Sequence, residues 1–80
     1  MKGPKVVIYT KSSSPYCHML KDWLRRYSIE YEEKNVEFDR EAEIELLKKS
    51  GQLDVPVIDI DGIIIIGFDV EKIKEVLKID

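Results

Sequence analysis

The residues best suited to chemistry lie at positions 14–17, which read Ser-Pro-Tyr-Cys. Ser14 is a residue type that caps helices and Pro15 one that opens them, so Cys17 is expected within the first helical turn. The N-terminus of a helix favours anions, thiolates included, and a thiolate is a strong nucleophile. The segment is therefore a candidate nucleophilic or redox site. The alternative is a buried cysteine that packs as a small apolar side chain.

Cysteine and histidine usage narrows the choice of chemistry. Cys17 is the only cysteine and His18 the only histidine of the 80 residues. One cysteine excludes an intrachain disulfide and a zinc site made of cysteines, and the adjacent histidine is a poor metal partner, so no metal is expected. A chain without disulfides is typical of a reducing compartment, and we expect a cytoplasmic protein.

Length and charge limit the organisation and the partners. Eighty residues suit one domain, which we assign to residues 1–80. The 16 acidic side chains outnumber the 13 basic ones, and no basic run is present, so nucleic acid is not an expected partner. Apolar runs such as Ile63 to Ile66 fall far below the roughly 18 residues of a membrane span, and no signal peptide is recognisable. We expect a monomer that binds neither nucleic acid nor membranes.

The first half of the chain predicts a strand, a helix and a second strand. Lys5 to Thr10 is apolar at nearly every position, which is typical of a central strand covered on both faces. From the expected cap at Ser14 to Ser28, apolar side chains recur every three or four residues and predict an amphipathic helix. This stripe consists of Leu20, Trp23, Leu24 and Tyr27, of which Trp23 and Tyr27 are assigned to the core. Glu30 to Glu37 is rich in charge and predicts a more exposed edge strand.

The second half predicts a helix, a hairpin and a last helix. Asp39 suits the cap of a helix over Arg40 to Ser50, with Gly51 as its left-handed stop and with the apolar set Ala42, Ile44, Leu46 and Leu47. Val57 to Ile60 and Ile63 to Ile66 are joined by Asp-Gly, the preferred pair for a type I′ hairpin turn. Asp69 suits the cap of a final helix whose apolar face comprises Val70, Ile73, Val76 and Leu77.

These elements follow the order strand, helix, strand, helix, hairpin, helix. A right-handed βαβ crossover makes the first two strands parallel, and the hairpin adds two antiparallel strands. We therefore predict an α/β fold with a four-stranded mixed sheet flanked by three helices.

Three segments of this sequence resemble those of the glutaredoxins. Residues 7–18 resemble the family's active-site segment, in which Cys-Pro-Tyr-Cys follows a strand ending in Tyr-Thr. Residues 54–58 (Asp-Val-Pro-Val-Ile) resemble its Thr-Val-Pro segment, and residues 66–69 (Ile-Gly-Phe-Asp) its glycine-and-acid motif. The resemblance covers nearly the whole chain in the right order, is greatest to small bacterial glutaredoxin-like proteins, and implies a thioredoxin fold.

The resemblance also implies an activity. Glutaredoxins are thiol–disulfide oxidoreductases that reduce protein or glutathione mixed disulfides, with glutathione as electron donor and no other cofactor. The implied partners are therefore glutathione and proteins that carry disulfides. Cys17 matches the second cysteine of the family, which closes a disulfide after the first has reacted.

Ser14 stands where the family has its first, attacking cysteine. Disulfide exchange needs a thiolate, which a serine hydroxyl cannot replace. Three explanations are open: serine replaces a cysteine or selenocysteine by design; the chain is a natural variant that kept the fold as a binding module; or Cys17 works alone. The third is disfavoured because a residue within the first turn points less freely into solvent than one at the cap.

The resemblance further implies a glutathione groove. Lys11 matches a position that offers charge to a carboxylate of glutathione, and Tyr16 one whose ring walls the sulfur. Val55 precedes Pro56 in a bond that family members hold cis, so that the valine backbone pairs with the cysteine of glutathione. The alternative for each is solvated surface or an ordinary strand proline. Asp54 replaces the family's threonine and brings a carboxylate next to the groove.

The last implied segment receives the γ-glutamyl end of glutathione. Gly67 allows close backbone approach, Phe68 stands where members often have a second glycine, and Asp69 offers a carboxylate to the ammonium. The alternative role for Asp69 is that of a helix cap, and one residue can fill both roles. Arg40 is a candidate for the glycyl carboxylate by position, and His18 is assigned to the surface.

Two other functions remain possible from the sequence. One is a redox-silent adaptor that uses the same groove to hold a peptide. The other is an iron–sulfur carrier, which in related single-cysteine proteins uses the cysteine at the first position, where this chain has Ser14.

Overall fold

The computed structural model describes residues 3–79, which form four strands and three helices. In chain order the elements are β1 (Val6–Thr10), α1 (Pro15–Arg26), β2 (Glu32–Asn35), α2 (Arg40–Ser50), β3 (Val57–Ile60), β4 (Ile63–Ile66) and α3 (Val70–Leu77). The predicted order of elements is confirmed. Among the described residues no helix has the length and apolar character needed to cross a bilayer.

The four strands form one mixed sheet in the order β2-β1-β3-β4. β1 pairs in parallel with β2, and antiparallel with β3, which in turn pairs antiparallel with β4. The predicted central position of β1 and edge position of β2 are both confirmed. All five residues of β1 are buried, because its neighbours cover both edges and the helices cover both faces.

The sheet separates two apolar clusters, and alternate residues of β1 point into each. Val6 and Ile8 pack on the side of α1 and α3, with Leu20, Leu24, Ile58 and Ile73. Val7 and Tyr9 pack on the side of α2, with Ala42, Leu46 and Val57. A chain of this size thus buries a core on each side of one thin sheet.

Side chains cap all three helices as the sequence predicts. Ser14, Asp39 and Asp69 each accept a hydrogen bond from a backbone N–H of the first turn, at Cys17, Ala42 and Lys72. At the other end of α2, Gly51 adopts the predicted left-handed conformation with φ 74°. The hairpin turn is also confirmed as type I′, because φ is positive at both Asp61 (50°) and Gly62 (91°).

Two element boundaries differ from the sequence predictions. β2 covers Glu32–Asn35, a shorter strand than the predicted Glu30 to Glu37, because only these four residues pair with β1. α1 ends at Arg26, two residues before Ser28, because Ser28 turns left-handed (φ 56°) and the N–H of Ile29 bonds to the carbonyl of Leu24.

The core assignment of Tyr27 was wrong. Its side chain is 40% exposed and stacks on buried Trp23 with ring centroids 4.3 Å apart. Ile44 and Leu47, counted in the apolar set of α2, are likewise exposed, and only Ala42 and Leu46 are buried on this helix. The reason is that α2 contacts the sheet along a narrow stripe.

A polar network joins α2 to the sheet beside this stripe. The hydroxyl of fully buried Tyr9 donates to Glu45 Oε1 at 2.8 Å and accepts from Lys49 Nζ at 2.7 Å. Lys49 also bonds to Asp59 of β3 at 2.7 Å, and Lys34 of β2 bonds to Glu45 at 2.8 Å. Burial raises the pKa of Tyr9, and the hydrogen bond from Lys49 opposes this only in part.

Adjacent leucines on α2 test how narrow its buried stripe is. Leu46 is fully buried whereas Leu47 is 49% exposed. Leu46→Ala is expected to lower the free energy of unfolding by about 2–5 kcal/mol. Leu47→Ala should change it by less than about 0.5 kcal/mol. Urea denaturation of both variants measures the difference, and equal losses would contradict the described packing of α2.

The Tyr9 network makes a second prediction. Tyr9→Phe leaves Glu45 and Lys49 without their shared partner and should cost about 1–2 kcal/mol of unfolding free energy. Because the pKa of Tyr9 is raised in the folded state, its contribution is present below about pH 10 and is lost as the pH rises through the folded-state pKa. Urea denaturation from pH 8 to 11 should therefore show a smaller alkaline loss in Tyr9→Phe. Tyr16→Phe, at a 62% exposed phenol, serves as the control and should behave as the parent.

Candidate active site

Strand pairing brings the predicted site segments to one end of the sheet. Tyr9, near the carboxyl end of β1, pairs with Val57 at the amino end of β3, and Val57 pairs with Ile66 at the carboxyl end of β4. The segments that adjoin these residues are therefore neighbours: residues 11–17 after β1, residues 55–56 before β3, and residues 67–69 after β4. The backbone N–H of Gly67 donates to the carbonyl of Pro56 at 2.8 Å and joins two of them directly.

The Val55–Pro56 peptide bond is cis, as the resemblance implies. Pro56 is buried and Val55 is half-buried, so Val55 is the residue of the pair that remains partly open to solvent. Across from them, Gly67 has φ 90°, a conformation that side-chain-bearing residues rarely adopt. A glycine is needed there for the turn that follows β4.

The start of α1 places the side chain of Ser14 against the free backbone N–H groups of the first turn. Ser14 is half-buried and extended (φ −93°, ψ 117°), and its Oγ accepts from the N–H of Cys17 at 3.4 Å. Its own N–H donates to the carbonyl of Lys11 at 3.1 Å and closes a turn of residues 11–14, called here the 11–14 turn. Position 14 therefore combines access from solvent with the positive end of a helix.

Cys17 is fully buried within the first turn of α1. This burial agrees with the packed-cysteine interpretation and speaks against the hypothesis that Cys17 works alone, because an incoming disulfide has no open path to its sulfur. A group held at position 14 is nevertheless near, since the amide of Cys17 lies 3.4 Å from Ser14 Oγ. The geometry suits a second thiol rather than a first one.

The other predicted groove residues differ in exposure. Tyr16 is 62% exposed and Lys11 half-buried, so both side chains are accessible beside the 11–14 turn. Phe68 is half-buried and packs against the core cluster under α1 and α3. Asp69 caps α3 through a 3.1 Å hydrogen bond from Lys72 N to Oδ1. The helix-cap alternative for Asp69 is thus confirmed. This hydrogen bond uses Oδ1 of the carboxylate and not Oδ2.

Sequence reasoning missed the contacts that hold the 11–14 turn, which converge on Ser12. Its N–H donates to Glu37 Oε1 at 3.0 Å, its hydroxyl accepts from Asn35 Nδ2 at 2.9 Å, and its carbonyl lies 2.8 Å from His18 Nε2. His18 is exposed, as predicted, but its ring is not free of partners. No spacing in the sequence relates Ser12 to Asn35 and Glu37, because the parallel pairing of β1 and β2 creates the contact.

A second polar cluster lies just below, where the hydroxyl of buried Thr10 donates to Glu33 Oε2 at 2.7 Å. Lys21 of α1 bonds to the same oxygen at 3.1 Å. Burial opposes ionisation of Glu33, but the hydrogen bonds from Thr10 and Lys21 outweigh it and lower the pKa of that carboxyl. The cluster therefore ties the ends of β1 and β2 to α1 with an ionised carboxylate.

Away from this end of the sheet, the described residues form a cleft but no cluster of reactive or metal-binding side chains. A wide cleft of about 890 Å³ lies at the opposite end of the sheet, between residues 3–6, 28–32 and the end of α3. It contains neither Ser14 nor Cys17. Among residues 3–79, no three histidine, cysteine, aspartate or glutamate side chains gather as a metal site would require.

The chain is similar to known proteins over most of its length. The family model described as Glutaredoxin matches residues 6–65, which include the 11–14 turn and Pro56 but stop before Gly67. An uncharacterized glutaredoxin-like 8.6 kDa protein of Clostridium pasteurianum is 34% identical over 73 residues, covering 91% of this chain and 97% of that protein. Glutaredoxin 3 of Escherichia coli K12 is 38% identical over 64 residues, covering 80% and 77%.

A solved structure of a thioredoxin-like protein has a similar fold. The thioredoxin-like protein BC3987 superposes with a TM-score of 0.86 at 33% identity, over 91% of this chain and all of that one. The predicted thioredoxin fold is confirmed. With the family match over residues 6–65 and the site segments gathered at one end of the sheet, the chain belongs to the glutaredoxin family.

Proposed function

We propose that this chain carries the glutathione-binding groove of a thiol–disulfide oxidoreductase, and that Ser14 leaves the groove able to bind but not to exchange disulfides. The observation that carries the proposal is the position of Ser14. Its side chain caps α1 at the end of the sheet where the cis Val55–Pro56 bond and Gly67 also lie. Membership of the glutaredoxin family supports an oxidoreductase-like role for this site.

The chemistry of position 14 explains both halves of the proposal. In disulfide exchange a thiolate attacks one sulfur of a disulfide and the other sulfur leaves as a thiolate. A helix N-terminus stabilises the attacking thiolate because free N–H groups and the helix dipole favour an anion. A neutral hydroxyl at the same place, as in Ser14, forms a hydrogen bond of 3.4 Å with the N–H of Cys17 and has no sulfur to exchange.

Cys17 takes the role of resolving thiol in this proposal. With a cysteine at position 14, substrate exchange leaves that sulfur bonded to glutathione. The thiolate of Cys17 then attacks the position-14 sulfur, forms the 14–17 disulfide and expels glutathione as a thiolate. The burial of Cys17 suits this step, because its partner is at the cap of the same helix, three residues away.

The groove offers complementary groups to the two carboxylates and one ammonium of glutathione. Lys11 supplies a cation beside the turn, the backbone of Val55 supplies strand-like hydrogen bonds, and Gly67 allows close approach. At the start of α3, Asp69 uses Oδ1 as a cap and offers Oδ2 to the ammonium. The backbone N–H groups of the same helix start favour a carboxylate.

A second candidate function follows from Ser14 itself. The serine is a competent helix cap, so the fold needs no cysteine at this position. A redox-silent module could therefore hold a peptide of a partner protein in the same groove. Glutathione affinity favours the first function, and its absence favours this one.

Ser14→Cys tests the proposed activity directly. We expect a gain of more than about 100-fold in the reduction of a glutathione mixed disulfide, because the variant supplies the missing nucleophile. The measurement is a glutathione-coupled disulfide reduction assay on the parent chain and the variant. If the variant folds but its disulfide reduction is no faster than that of the parent chain, the binding-module function is favoured.

The double variant Ser14→Cys/Cys17→Ser is the matched control for the resolving step. It should still exchange with glutathione mixed disulfides through one thiol, but it should not form an intrachain disulfide. Intact mass after oxidation measures this, since the 14–17 disulfide removes two hydrogen atoms. Formation of that product only in the single variant is the expected result.

Asp69→Asn separates the two roles of Asp69. Asparagine caps helices as well as aspartate, so thermal stability should stay close to that of the parent. Loss of the negative charge should weaken binding of reduced glutathione by about fivefold, the effect of one exposed ion pair. NMR titration of the parent chain and the variant measures both affinities. Equal affinities would remove Asp69 from the groove and leave it as a cap.

A further inference from the structure

We propose that His18, Asn35 and Glu37 are positioning residues that clamp Ser12 and so hold position 14 in its reactive orientation. This inference rests on the proposed function, because it assigns residues to the reaction at position 14. The three residues and Ser12 are called here the Ser12 clamp. None of them touches the reacting atoms, and their effect passes through the 11–14 turn.

The Ser12 clamp engages every polar group of one residue. Glu37 accepts from the N–H of Ser12 at 3.0 Å, and Asn35 Nδ2 donates to its hydroxyl at 2.9 Å. His18 Nε2 lies 2.8 Å from the carbonyl of Ser12 and must act as the donor, because a carbonyl oxygen only accepts. Ser12 is thus bound from α1 on one side and from the end of β2 on the other.

The clamp is itself fixed to the sheet. Asn35 is the last residue of β2 and pairs with Thr10 in the parallel register. Asn35 Oδ1 also accepts from the N–H of Glu37 at 2.9 Å, and the N–H of Val36 donates to the carbonyl of Thr10 at 2.9 Å. The orientation of Asn35 and Glu37 is therefore determined by strand pairing and not by flexible surface.

The 11–14 turn needs such support because packing does not provide it. Ser12 and Ser13 are both exposed and carry small side chains that bury no apolar surface. Within the turn, the hydrogen bond from Ser14 N to the carbonyl of Lys11 at 3.1 Å is a single restraint. Without the clamp, two exposed serines would leave the approach to Ser14 free to move, since exposed loops with few contacts open locally at low cost.

The orientation at position 14 matters for exchange because the attacking sulfur must lie in line with the disulfide it attacks. A displacement of about 1 Å can cost on the order of 100-fold in rate. A clamp of three exposed hydrogen bonds restrains less than a packed side chain does. We therefore expect loss of one member to lower the rate by about tenfold.

His18 offers the sharpest test, made in the Ser14→Cys/Cys17→Ser chain, whose single thiol is at position 14. His18→Leu removes the donor, and His18→Gln restores one, because the amide nitrogen of glutamine reaches nearly as far as Nε2. We expect His18→Leu to lower kcat for a glutathione mixed disulfide about tenfold, with a smaller change in KM, and His18→Gln to recover most of the loss. Asp22→Asn, on the exposed side of the same helix, should leave both constants unchanged.

A second measurement in the parent chain, with Ser14 in place, needs no activity. Hydrogen exchange at the backbone N–H groups of Ser12 and Ser14, which are both hydrogen bonded, is followed by NMR. It should accelerate severalfold in His18→Leu and in Asn35→Ala, but not in Asp22→Asn. His18 bonds to the carbonyl of Ser12 and to neither of these N–H groups, so acceleration in His18→Leu would report movement of the turn as a whole.

The two measurements separate the clamp from the proposed function. If thiol variants are inactive towards glutathione mixed disulfides but His18→Leu accelerates exchange in the turn, the proposed function fails and the clamp stands as a structural restraint. If the thiol chain is active and His18→Leu changes neither kcat nor exchange, the clamp is wrong and the function stands. Equal behaviour of His18→Leu and His18→Gln would likewise overturn the assignment to hydrogen bonding.

Discussion

The antiparallel pairing of β1 with β3 is the constraint on which the site depends. Tyr9 opposite Val57 sets the carboxyl end of one central strand beside the amino end of the other. The turn that leads into α1 and the cis bond that leads into β3 then share one end of the sheet, and the pairing of Val57 with Ile66 adds the segment after β4. A shift of this register by one residue would turn each β3 side chain to the opposite face of the sheet.

The start of α1 provides, at this end of the sheet, a position suited to an anion. Free N–H groups collect at the first turn, and Ser14 stands where an anion would be stabilised, while Cys17 lies beneath it in the core. Under the proposed function the two positions have different tasks, because Ser14 is partly open to solvent and Cys17 is fully buried. Under the proposed function, the hydroxyl of Ser14 at the open position prevents disulfide exchange, while the serine still caps α1.

Polar contacts hold the ends of the strands in place, whereas apolar packing holds their centres. On the face covered by α2, the buried stripe of the helix is narrow. Beside this stripe, the Tyr9 hydroxyl forms hydrogen bonds with Glu45 and Lys49. At the site, Ser12 joins residues from α1 and β2 where the chain has no apolar side chain to bury. In both places a few directed hydrogen bonds define a geometry that hydrophobic burial, which has no direction, leaves open.

The amino-acid sequence alone determined the elements, their order, the three helix caps and the type I′ turn, because each depends on residues close together in the chain. It also located Ser14, Cys17 and Pro56 through motifs whose spacing is local. The tertiary structure decided what depends on partners far apart in sequence: the exposure of Tyr27, the short pairing of β2, the burial of Cys17 and the contacts of Ser12 with Asn35 and Glu37. Those contacts exist only after the strands have paired, since pairing creates neighbours that no spacing along the chain records.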